Sequence, residues 1–260
     1  MPRKYLIVFV FILLSVIVAG YAMAATKKQQ QQQQEEPVYL ANFNYTPESQ
    51  AAPGSAGVTF SVENTSLNYQ PDTRVKLIWF KSPQLANLPE AVKKDLFGLL
   101  VAKGFNVRGP FDSYDLIPYQ DKKAIDLFLV PTFGLSFTLP DKLFDTKNTK
   151  VEVAGKMILE LREIVTRELM WSKNIPFAKF EVPLMLKDFK FQPGKNWRGE
   201  IVITEDLESM RLDPNIMNDV AKGLEKQYPE IMATISKLID PEEMMIIKKQ
   251  CQELKAKKGY

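Results

Sequence analysis

The sequence predicts an α+β fold: a mostly antiparallel sheet packed by one amphipathic helix after the second or third strand, plus two C-terminal helices. Three observations support this prediction. Several segments alternate apolar and polar residues with period two, as half-buried strands do. A segment around residue 95 instead repeats apolar residues with helical spacing, and so does the region after residue 213. We therefore expect a sheet domain over residues 38–212 and a helical pair over residues 213–260 that packs on the same domain.

The first two strands are predicted at residues 57–63 and 75–80. In the first, Val58, Phe60 and Val62 alternate with polar residues, which is typical of a strand with one buried face. The second is more apolar, which favours a strand buried on both faces. We therefore expect the second strand to be the more central of the two.

A helix is predicted to follow these strands. Asn87 as the N-cap, Pro89 in the first turn and Glu90 three residues after the cap form a capping-box pattern. Gly104 is expected to end the helix, and a short strand is expected at residues 105–107. The apolar stripe of the helix consists of Val92, Leu96, Leu99 and Leu100.

The longest strand is predicted at residues 124–139, because its apolar and small polar residues alternate regularly. Pro131 has no amide hydrogen to donate, so we expect it at a bulge or on a sheet edge. One face is predicted to be core and the other to meet solvent or a partner. The core face carries Phe133, Leu135, Phe137 and Leu139, and the other carries Thr132, Gly134, Ser136 and Thr138.

A β-hairpin is predicted next, with strands at residues 151–161 and 169–175 and a loop at residues 162–168. Alternation decides which side chains of the hairpin are buried. The residues expected to point inward are Met157, Leu159, Leu161, Leu169, Trp171 and Ile175.

Two helices are predicted at the C-terminus. Apolar residues recur at helical spacing over residues 216–238, and Pro229 is expected to kink or interrupt that helix. Asp240 then serves as an N-cap and Pro241 as the first helical residue of the last helix. That helix ends with three lysines, which favour a helix C-terminus through its dipole. They are Lys255, Lys257 and Lys258.

The N-terminus has the pattern of an export signal. Arg3 and Lys4 precede an apolar run, and small residues at positions 22 and 24 predict cleavage between Ala24 and Ala25. An uncleaved membrane anchor is the alternative, since the apolar segment is about 20 residues long. Residues 25–37, which contain six consecutive glutamines, are predicted to form a disordered tether. We therefore expect the folded region to lie outside the cytoplasm.

The composition argues against most enzymatic chemistry. The chain contains no histidine and one cysteine, Cys251, so it lacks the commonest general base and the usual catalytic dyads and has no internal disulfide. We expect no enzyme activity, no catalytic residues, no metal and no cofactor. Hydrolysis by paired carboxylates stays a minor alternative. With 34 basic and 31 acidic residues the charge is nearly balanced, so we expect no nucleic-acid partner.

Residues 177–203 interleave aromatic and basic side chains, which predicts a surface for a partner. The alternative is a β-hairpin that turns at residues 193–196, with buried aromatic residues and lysines that guard a sheet edge. The partner-binding candidates are Phe189, Phe191, Lys195, Trp197 and Arg198.

The mature chain resembles the neuraminyllactose-binding haemagglutinins, also called flagellar sheath adhesins, of the Gram-negative outer membrane. The resemblance covers most of residues 38–258 and is weakest over 177–212; order and spacing carry it. The similar segments are Phe43-Asn44-Tyr45-Thr46-Pro47, Lys103-Gly104-Phe105-Asn106-Val107, Leu139-Pro140-Asp141 and the helices from Ile231 to Lys258.

The resemblance implies a binding role and, as one ligand class, sialylated glycans. The family's sialic-acid motif maps onto residues 141–150, where Lys142, Lys147 and Lys150 are the ligand-binding candidates, and where Asp141 and Asp145 weaken the motif. Family members usually carry a lipid-modified cysteine at the end of the signal peptide. Here Ala24 and Ala25 stand at that site, so the chain resembles a non-lipidated, divergent member.

Two non-enzymatic functions follow as hypotheses. The first is an exported adhesin-like protein that binds other molecules at the outer membrane or cell surface. The second is a periplasmic structural subunit of an envelope-spanning secretion or flagellar machine. The expected partners are other envelope proteins or a second copy of the chain, with peripheral association with the outer membrane as an option.

Overall fold

A mixed sheet of six strands organises the part of the chain that the structure, a computed structural model, describes. The described residues are 38–48, 50–70, 82–109, 111, 113–139, 150–184, 186–187, 191–195, 201–205, 211–212 and 215–259. The predicted leader, the tether and the strand at 75–80 lie outside these ranges. The strands are β1 (Thr59–Val62), β2 (Ser66–Gln70), β3 (Asn106–Arg108), β4 (Leu127–Thr138), β5 (Lys150–Arg162) and β6 (Leu169–Pro183).

The sheet has the order β3-β1-β4-β5-β6, and β2 also pairs with β4. The short strands β1 and β2 run parallel to β4, one after the other along its length. The long ladders between β4 and β5 and between β5 and β6 are antiparallel. The sheet is thus mostly antiparallel, as the sequence predicts.

Four α-helices occur among the described residues: α1 (Leu88–Ala102), α2 (Tyr119–Ala124), α3 (Ile216–Leu238) and α4 (Pro241–Lys258). Short 3-10 turns cover Pro83–Leu85 and Tyr114–Leu116. Two separate pairs of short antiparallel strands follow β6 along the chain. They are β7 (Leu186–Lys187) with β10 (Arg211–Leu212), and β8 (Phe191–Lys195) with β9 (Ile201–Glu205). This α+β architecture confirms the predicted fold class.

The main core lies on one face of the sheet, where α1, α3 and α4 supply apolar side chains. The predicted core residues of β4 are buried there, and Thr132, Gly134 and Ser136 alternate with them on the other face, where they are partly exposed. The opposite face carries a second, small cluster at one end of β4, built from Ile117, Ile125, Phe128 and Ile164. That second cluster positions the candidate site.

The helices are joined by buried polar contacts. Tyr228 of α3 donates a 2.8 Å hydrogen bond to the carboxyl of Asp95 in α1. Burial raises the pKa of Asp95, although the bond from Tyr228 opposes this shift. The chain that enters the fold from residue 38 is tied to the same helices, because the Tyr39 amide donates to Asn218 and Phe43 packs edge-on against Tyr228.

Asn87 does not cap α1 as predicted. Its side chain makes no capping bond and instead donates 2.5 Å to the carbonyl of Ala41, on the entering chain. A tertiary contact therefore occupies the Asn87 side chain, which the local sequence pattern assigned to capping α1. By contrast, Asp240 caps α4 as predicted and accepts from the amides of Glu242 and Glu243 at 2.9 and 3.0 Å.

Pro131 lies neither on a sheet edge nor at a bulge of β4 and β5, since it pairs in register with Leu159. On its other side the amide of Glu63 donates to the carbonyl of Leu129 at 2.9 Å. Continuing this parallel ladder would require residue 131 to donate to the Glu63 carbonyl, which proline cannot do. The break between β1 and β2 therefore falls at the position of the missing donor.

Four further predictions need correction. Leu169 is 50 % exposed, because a register shift between Leu161 and Arg162 pairs it with Arg162 and so turns it away from the core. Pro229 does not interrupt α3, since buried residues on both sides hold the helix on the core. Residues 193–195 belong to β8 rather than to a turn. The short helix α2 was not predicted, and Ala124 ends it instead of starting β4.

Candidate functional site

A cleft of about 240 Å³ opens on the sheet face opposite the main core, next to the small second cluster. Its floor is the apolar pair Phe128 and Val130 of β4. Its polar lining comes from four separate places in the chain. These residues are Glu63 just after β1, Tyr114 before α2, Glu160 and Arg162 of β5, and Arg167 of the β5–β6 loop.

Alternation along the strands places these side chains. Leu159 and Leu161 are buried in the main core, so Glu160 and Arg162 point to the opposite face. The same reasoning applies to Glu63, which follows the buried Val62. The break in pairing at Pro131 lies beside Glu63, so the cleft forms where β1 ends.

Arg162 is held by its neighbours. Its Nε and Nη2 atoms donate to Oε2 of Glu160 at 3.0 and 2.6 Å, and its Nη1 donates to the carbonyl of Arg167 at 3.1 Å. Both side chains of the ion pair are about one third exposed. A charge-assisted pair of this geometry fixes the guanidinium plane at the edge of the cleft.

Arg167 has a left-handed backbone conformation, with φ of 60°, and is the one non-glycine residue with positive φ among those described. Its guanidinium lies 3.5 Å from the centre of the Tyr114 ring and donates to Asp115 at 3.0 Å. Lys122 also lies 3.9 Å from the centre of the same ring. The Tyr114 hydroxyl donates to the carbonyl of Ile164 at 2.5 Å, which joins the connection before α2 to the β5–β6 loop.

Glu63 is the partly buried carboxyl of the cleft. Burial raises its pKa, against the opposing effects of Arg167, the Tyr114 amide and Arg162. Among the described residues no cation lies within ion-pair distance of Glu63, whereas Arg162 and Arg167 each contact a carboxylate. The cleft therefore contains one carboxyl that is desolvated without a direct counter-ion.

The cleft brings the two carboxyl groups of Glu63 and Glu160 into one cavity, an arrangement that the hydrolase alternative also needs. Glu160 is already paired with Arg162. In the part of the chain that the structure describes, no group of three or more acidic, cysteine or histidine side chains is placed to hold a metal ion.

Glu163, the first residue of the β5–β6 loop, has a buried carboxylate. Its Oε2 accepts from the amides of Val165 and Thr166, and its Oε1 lies 3.0 Å from Nζ of Lys255 in α4. Burial alone would raise the pKa of Glu163, but these donors outweigh it and lower the pKa. This carboxylate fixes the loop that carries Arg167 to the last helix.

Seven of the ten sequence-predicted site residues lie outside the part of the chain that the structure describes. Lys142, Lys147, Phe189, Trp197 and Arg198 lie outside the described residues, as do Ala24 and Ala25. Lys150 begins β5 and forms a 2.7 Å ion pair with Glu181, both largely exposed. Phe191 and Lys195 lie at the two ends of β8. These assignments stay predictions.

Sequence reasoning did not single out the cleft. Its residues are far apart in the chain, and each looks like an ordinary surface residue in its own segment. One local signal was present: the β5–β6 loop contains neither glycine nor asparagine, so any left-handed position in it falls on another residue type.

Comparison with solved structures places the fold. A neuraminyllactose-binding hemagglutinin homolog from Helicobacter pylori is similar over 82 % of this chain and 99 % of its own, with a TM-score of 0.53 and 16 % identity. A protein from Xanthomonas campestris covers 83 % of this chain and 98 % of its own at a TM-score of 0.36 and 11 % identity. A lipoprotein from Neisseria meningitidis is similar over 48 % of this chain and 83 % of its own, with a TM-score of 0.29 and 11 % identity.

No family model matches the sequence, and no curated protein matches it. The Xanthomonas and Neisseria structures, with TM-scores of 0.36 and 0.29, do not contribute to the fold assignment. The chain thus shares the α+β fold of the Helicobacter hemagglutinin homolog, and at 16 % identity this likeness defines the fold alone. Among the described helices, none combines the length and the apolar composition that crossing a bilayer requires.

Proposed function

We propose that this chain is an exported, non-enzymatic envelope protein that acts by binding, a divergent and non-lipidated relative of the flagellar sheath adhesins. One observation carries the proposal. The shared fold covers nearly the whole of the Helicobacter hemagglutinin homolog and most of this chain, so the likeness concerns a complete architecture rather than one common motif. A fold alone does not transfer a function, so the cleft and the N-terminal sequence have to support it.

The chemistry of the described residues supports a binding role. Cys251 is buried, and its pKa is raised to about 12, chiefly by burial and then by the nearby Glu163 carboxylate, so its thiol is not an activated nucleophile. The chain has no histidine. The cleft instead offers fixed guanidinium donors, carboxyl acceptors and an apolar floor, which is the composition of a recognition site.

The second candidate is a periplasmic structural subunit of an envelope machine. Cys251, the only cysteine of the sequence, is 1 % exposed, so it is inaccessible to lipid attachment in the folded protein. With the leader removed and no acyl chain attached, contacts with other envelope proteins or with a second copy hold the protein in place. This observation favours protein partners over a freely presented adhesin.

Protease treatment of intact cells separates the two candidates. The full chain, with a C-terminal epitope tag, is produced in a Gram-negative host, and proteinase K is added before and after the outer membrane is permeabilised. Cleavage in intact cells is expected for the adhesin, and protection until permeabilisation is expected for the periplasmic subunit. Mass spectrometry of the purified protein should find Ala25 at its N-terminus. A body that keeps Met1 and faces the cytosol would contradict both candidates.

Sialylated glycans remain a proposed ligand class for the segment that contains Lys142, Lys147 and Lys150. A glycan array with the wild-type chain and with Lys142→Ala plus Lys147→Ala tests it, because a sialoside signal that the double variant retains shows that the site lies elsewhere. A pull-down from envelope extracts with wild type and Trp197→Ala tests the aromatic segment in the same way.

A further inference from the structure

We propose that the cleft lined by Glu63, Tyr114, Glu160, Arg162 and Arg167 binds a single ring of an uncharged saccharide. This inference rests on the proposed binding function and names the ligand class of one site. It differs from the lysine segment at residues 141–150, for which the resemblance implies acidic sugars. The cleft recognises hydroxyl groups, and it disfavours anions.

The charges of the lining residues favour an uncharged ligand. Glu63 and Glu160 contribute two carboxyl groups, and Arg162 and Arg167 contribute two guanidinium groups, so the charged lining is balanced. Each guanidinium already contacts a carboxylate, Arg162 that of Glu160 and Arg167 that of Asp115. An anionic ligand would have to share a guanidinium with the carboxylate that already contacts it, and it would face the Glu63 carboxyl.

The hydrogen-bond donors and acceptors of the lining favour a ligand that is rich in hydroxyl groups. A guanidinium has five N–H donors, so both arginines keep donors beyond the bonds described above, and each carboxyl has several acceptor positions. A sugar hydroxyl both donates and accepts, and so matches a lining in which strong donors and strong acceptors lie side by side. Bonds to charged groups are the stronger kind, which suits recognition of a ligand that is itself uncharged.

The size and the apolar floor of the cleft limit how large a ligand it can hold. Its volume of about 240 Å³ lies below the range of roughly 300–1,000 Å³ that is usual for drug-sized ligands, so the cleft fits one small ring. Phe128 and Val130 give that ring an apolar surface on which C–H groups of a pyranose pack. The site is open at its mouth, so the rest of a glycan chain would extend outside it.

The backbone of Arg167 is an independent observation. A left-handed conformation is costly for most residues other than glycine and asparagine, and residues that adopt it concentrate at functional sites. Arg167 adopts this costly conformation, and its side chain packs on Tyr114 and lines the cleft. Glycine would fit the same turn without strain but would leave the cleft without its second guanidinium.

Ligand-observed NMR with the purified, leader-processed full chain tests the inference. The probes are methyl glycosides of glucose, galactose, mannose and N-acetylglucosamine, with glucuronic acid and N-acetylneuraminic acid as charged comparators. All are tested on the Lys142→Ala plus Lys147→Ala background, so that acids bound by the lysine segment are not counted for the cleft. At least one uncharged glycoside should give saturation transfer at millimolar concentration, and the two acids should bind at least about tenfold more weakly, which corresponds to about 1.4 kcal/mol.

Two variants locate the site. Glu63→Gln keeps the shape but removes the carboxylate, and Arg167→Lys keeps the charge but removes the planar fork; each should weaken binding about tenfold or more. Lys222→Gln is the matched control, because Lys222 is an exposed residue paired with Asp219 on α3, which packs on the other face of the sheet. Thermal unfolding of each variant shows whether the fold is intact.

Three results would overturn the inference: no uncharged glycoside binds, the acids bind as tightly as the uncharged sugars, or both folded variants bind like wild type. Such a failure leaves the proposed envelope function standing if the protease and pull-down experiments succeed. Release of methanol from a bound glycoside would instead overturn the non-enzymatic assignment, while it would support sugar binding in the cleft.

Discussion

The guanidinium of Arg167 lies 3.5 Å from the centre of the Tyr114 ring, and this contact joins the loop between β5 and β6 to the connection that precedes α2. Cation–π contacts of this kind contribute roughly 0.5–2 kcal/mol. The pair also closes one side of the cleft, since both residues line it. The stability of the loop and the shape of the site therefore depend on the same two side chains.

Replacing Arg167 separates the backbone strain from the side-chain contact. Arg167→Ala removes the contacts with Tyr114 and Asp115 but keeps the strained backbone, so it should lower the free energy of unfolding by about 1 kcal/mol. Arg167→Gly loses the same contacts but relieves the strain, so it should be about 1 kcal/mol more stable than Arg167→Ala. Urea unfolding midpoints measure both. Equal midpoints would show that the loop relaxes when the side chain is removed.

Glu63→Gln should stabilise the fold at neutral pH. The pKa of Glu63 is raised above its ordinary value of 4.5 in the folded state, so the folded protein holds this proton more tightly than the unfolded chain. Its contribution to stability is present below pH 4.5 and is lost as the pH rises through the folded pKa. Charged neighbours that face it are Arg162, Arg167, Glu160 and Asp115.

The measurement for Glu63 is thermal unfolding of wild type and Glu63→Gln from pH 4 to pH 8. The variant should equal wild type at the acidic end and exceed it increasingly toward neutral pH. Glu181→Gln is the control, because Glu181 is 59 % exposed and lies in an ion pair with Lys150, so it should show no such gain. A Glu63→Gln variant that is less stable at pH 7 would mean that the arginines outweigh the desolvation.

Glu163→Gln should loosen α4 and expose Cys251 to a thiol reagent. The variant removes the carboxylate that contacts Lys255 and weakens the bonds to the loop amides. Cys251 is buried in α4, with its pKa raised to about 12, so its labelling in the native state requires local opening. The labelling rate should rise about tenfold or more, since loss of a buried charge-assisted contact costs about 1–3 kcal/mol.

The matched control for this labelling is Glu168→Gln. Glu168 pairs with Lys258 at the end of the same helix, but both side chains are exposed, so its loss should change the rate much less. The Glu163 contact should also weaken in acid. Because the folded pKa of Glu163 lies below 4.5, its contribution to stability is present above that pH and is lost as the pH falls through the folded pKa.

Two helical glycines should respond oppositely to alanine. Gly98 in α1 is exposed and a Cβ there would meet no atom within 4 Å, so Gly98→Ala should stabilise the fold by about 0.5–1 kcal/mol. A Cβ on Gly223 in α3 would lie 2.3 Å from the Phe180 ring, so Gly223→Ala should destabilise it by about 1–3 kcal/mol. Thermal unfolding tests both, and a stabilising Gly223→Ala would show that the Phe180 ring moves aside without cost.

Local rules succeeded where one segment contains all the determinants. The alternation in β4 separated its buried face from its open face, and Asp240 with Pro241 marked the start of α4, because side-chain period and end-capping are set within a few residues. The hairpin of β5 and β6 was found for the same reason. Local rules failed at Asn87 and at Leu169, where a contact with Ala41 and a register shift override the local pattern.

The sequence by itself determined the α+β class, the buried faces of the long strands and the positions of the C-terminal helices, since these depend on periodicity and on short-range hydrogen bonding. Only the tertiary structure decided the parallel pairing of β1 and β2 with β4, the break beside Pro131 and the cleft. The reason is physical. Residues from 63 to 167 meet only when the sheet is assembled, and the burial of Glu63 and the left-handed backbone of Arg167 are consequences of that assembly.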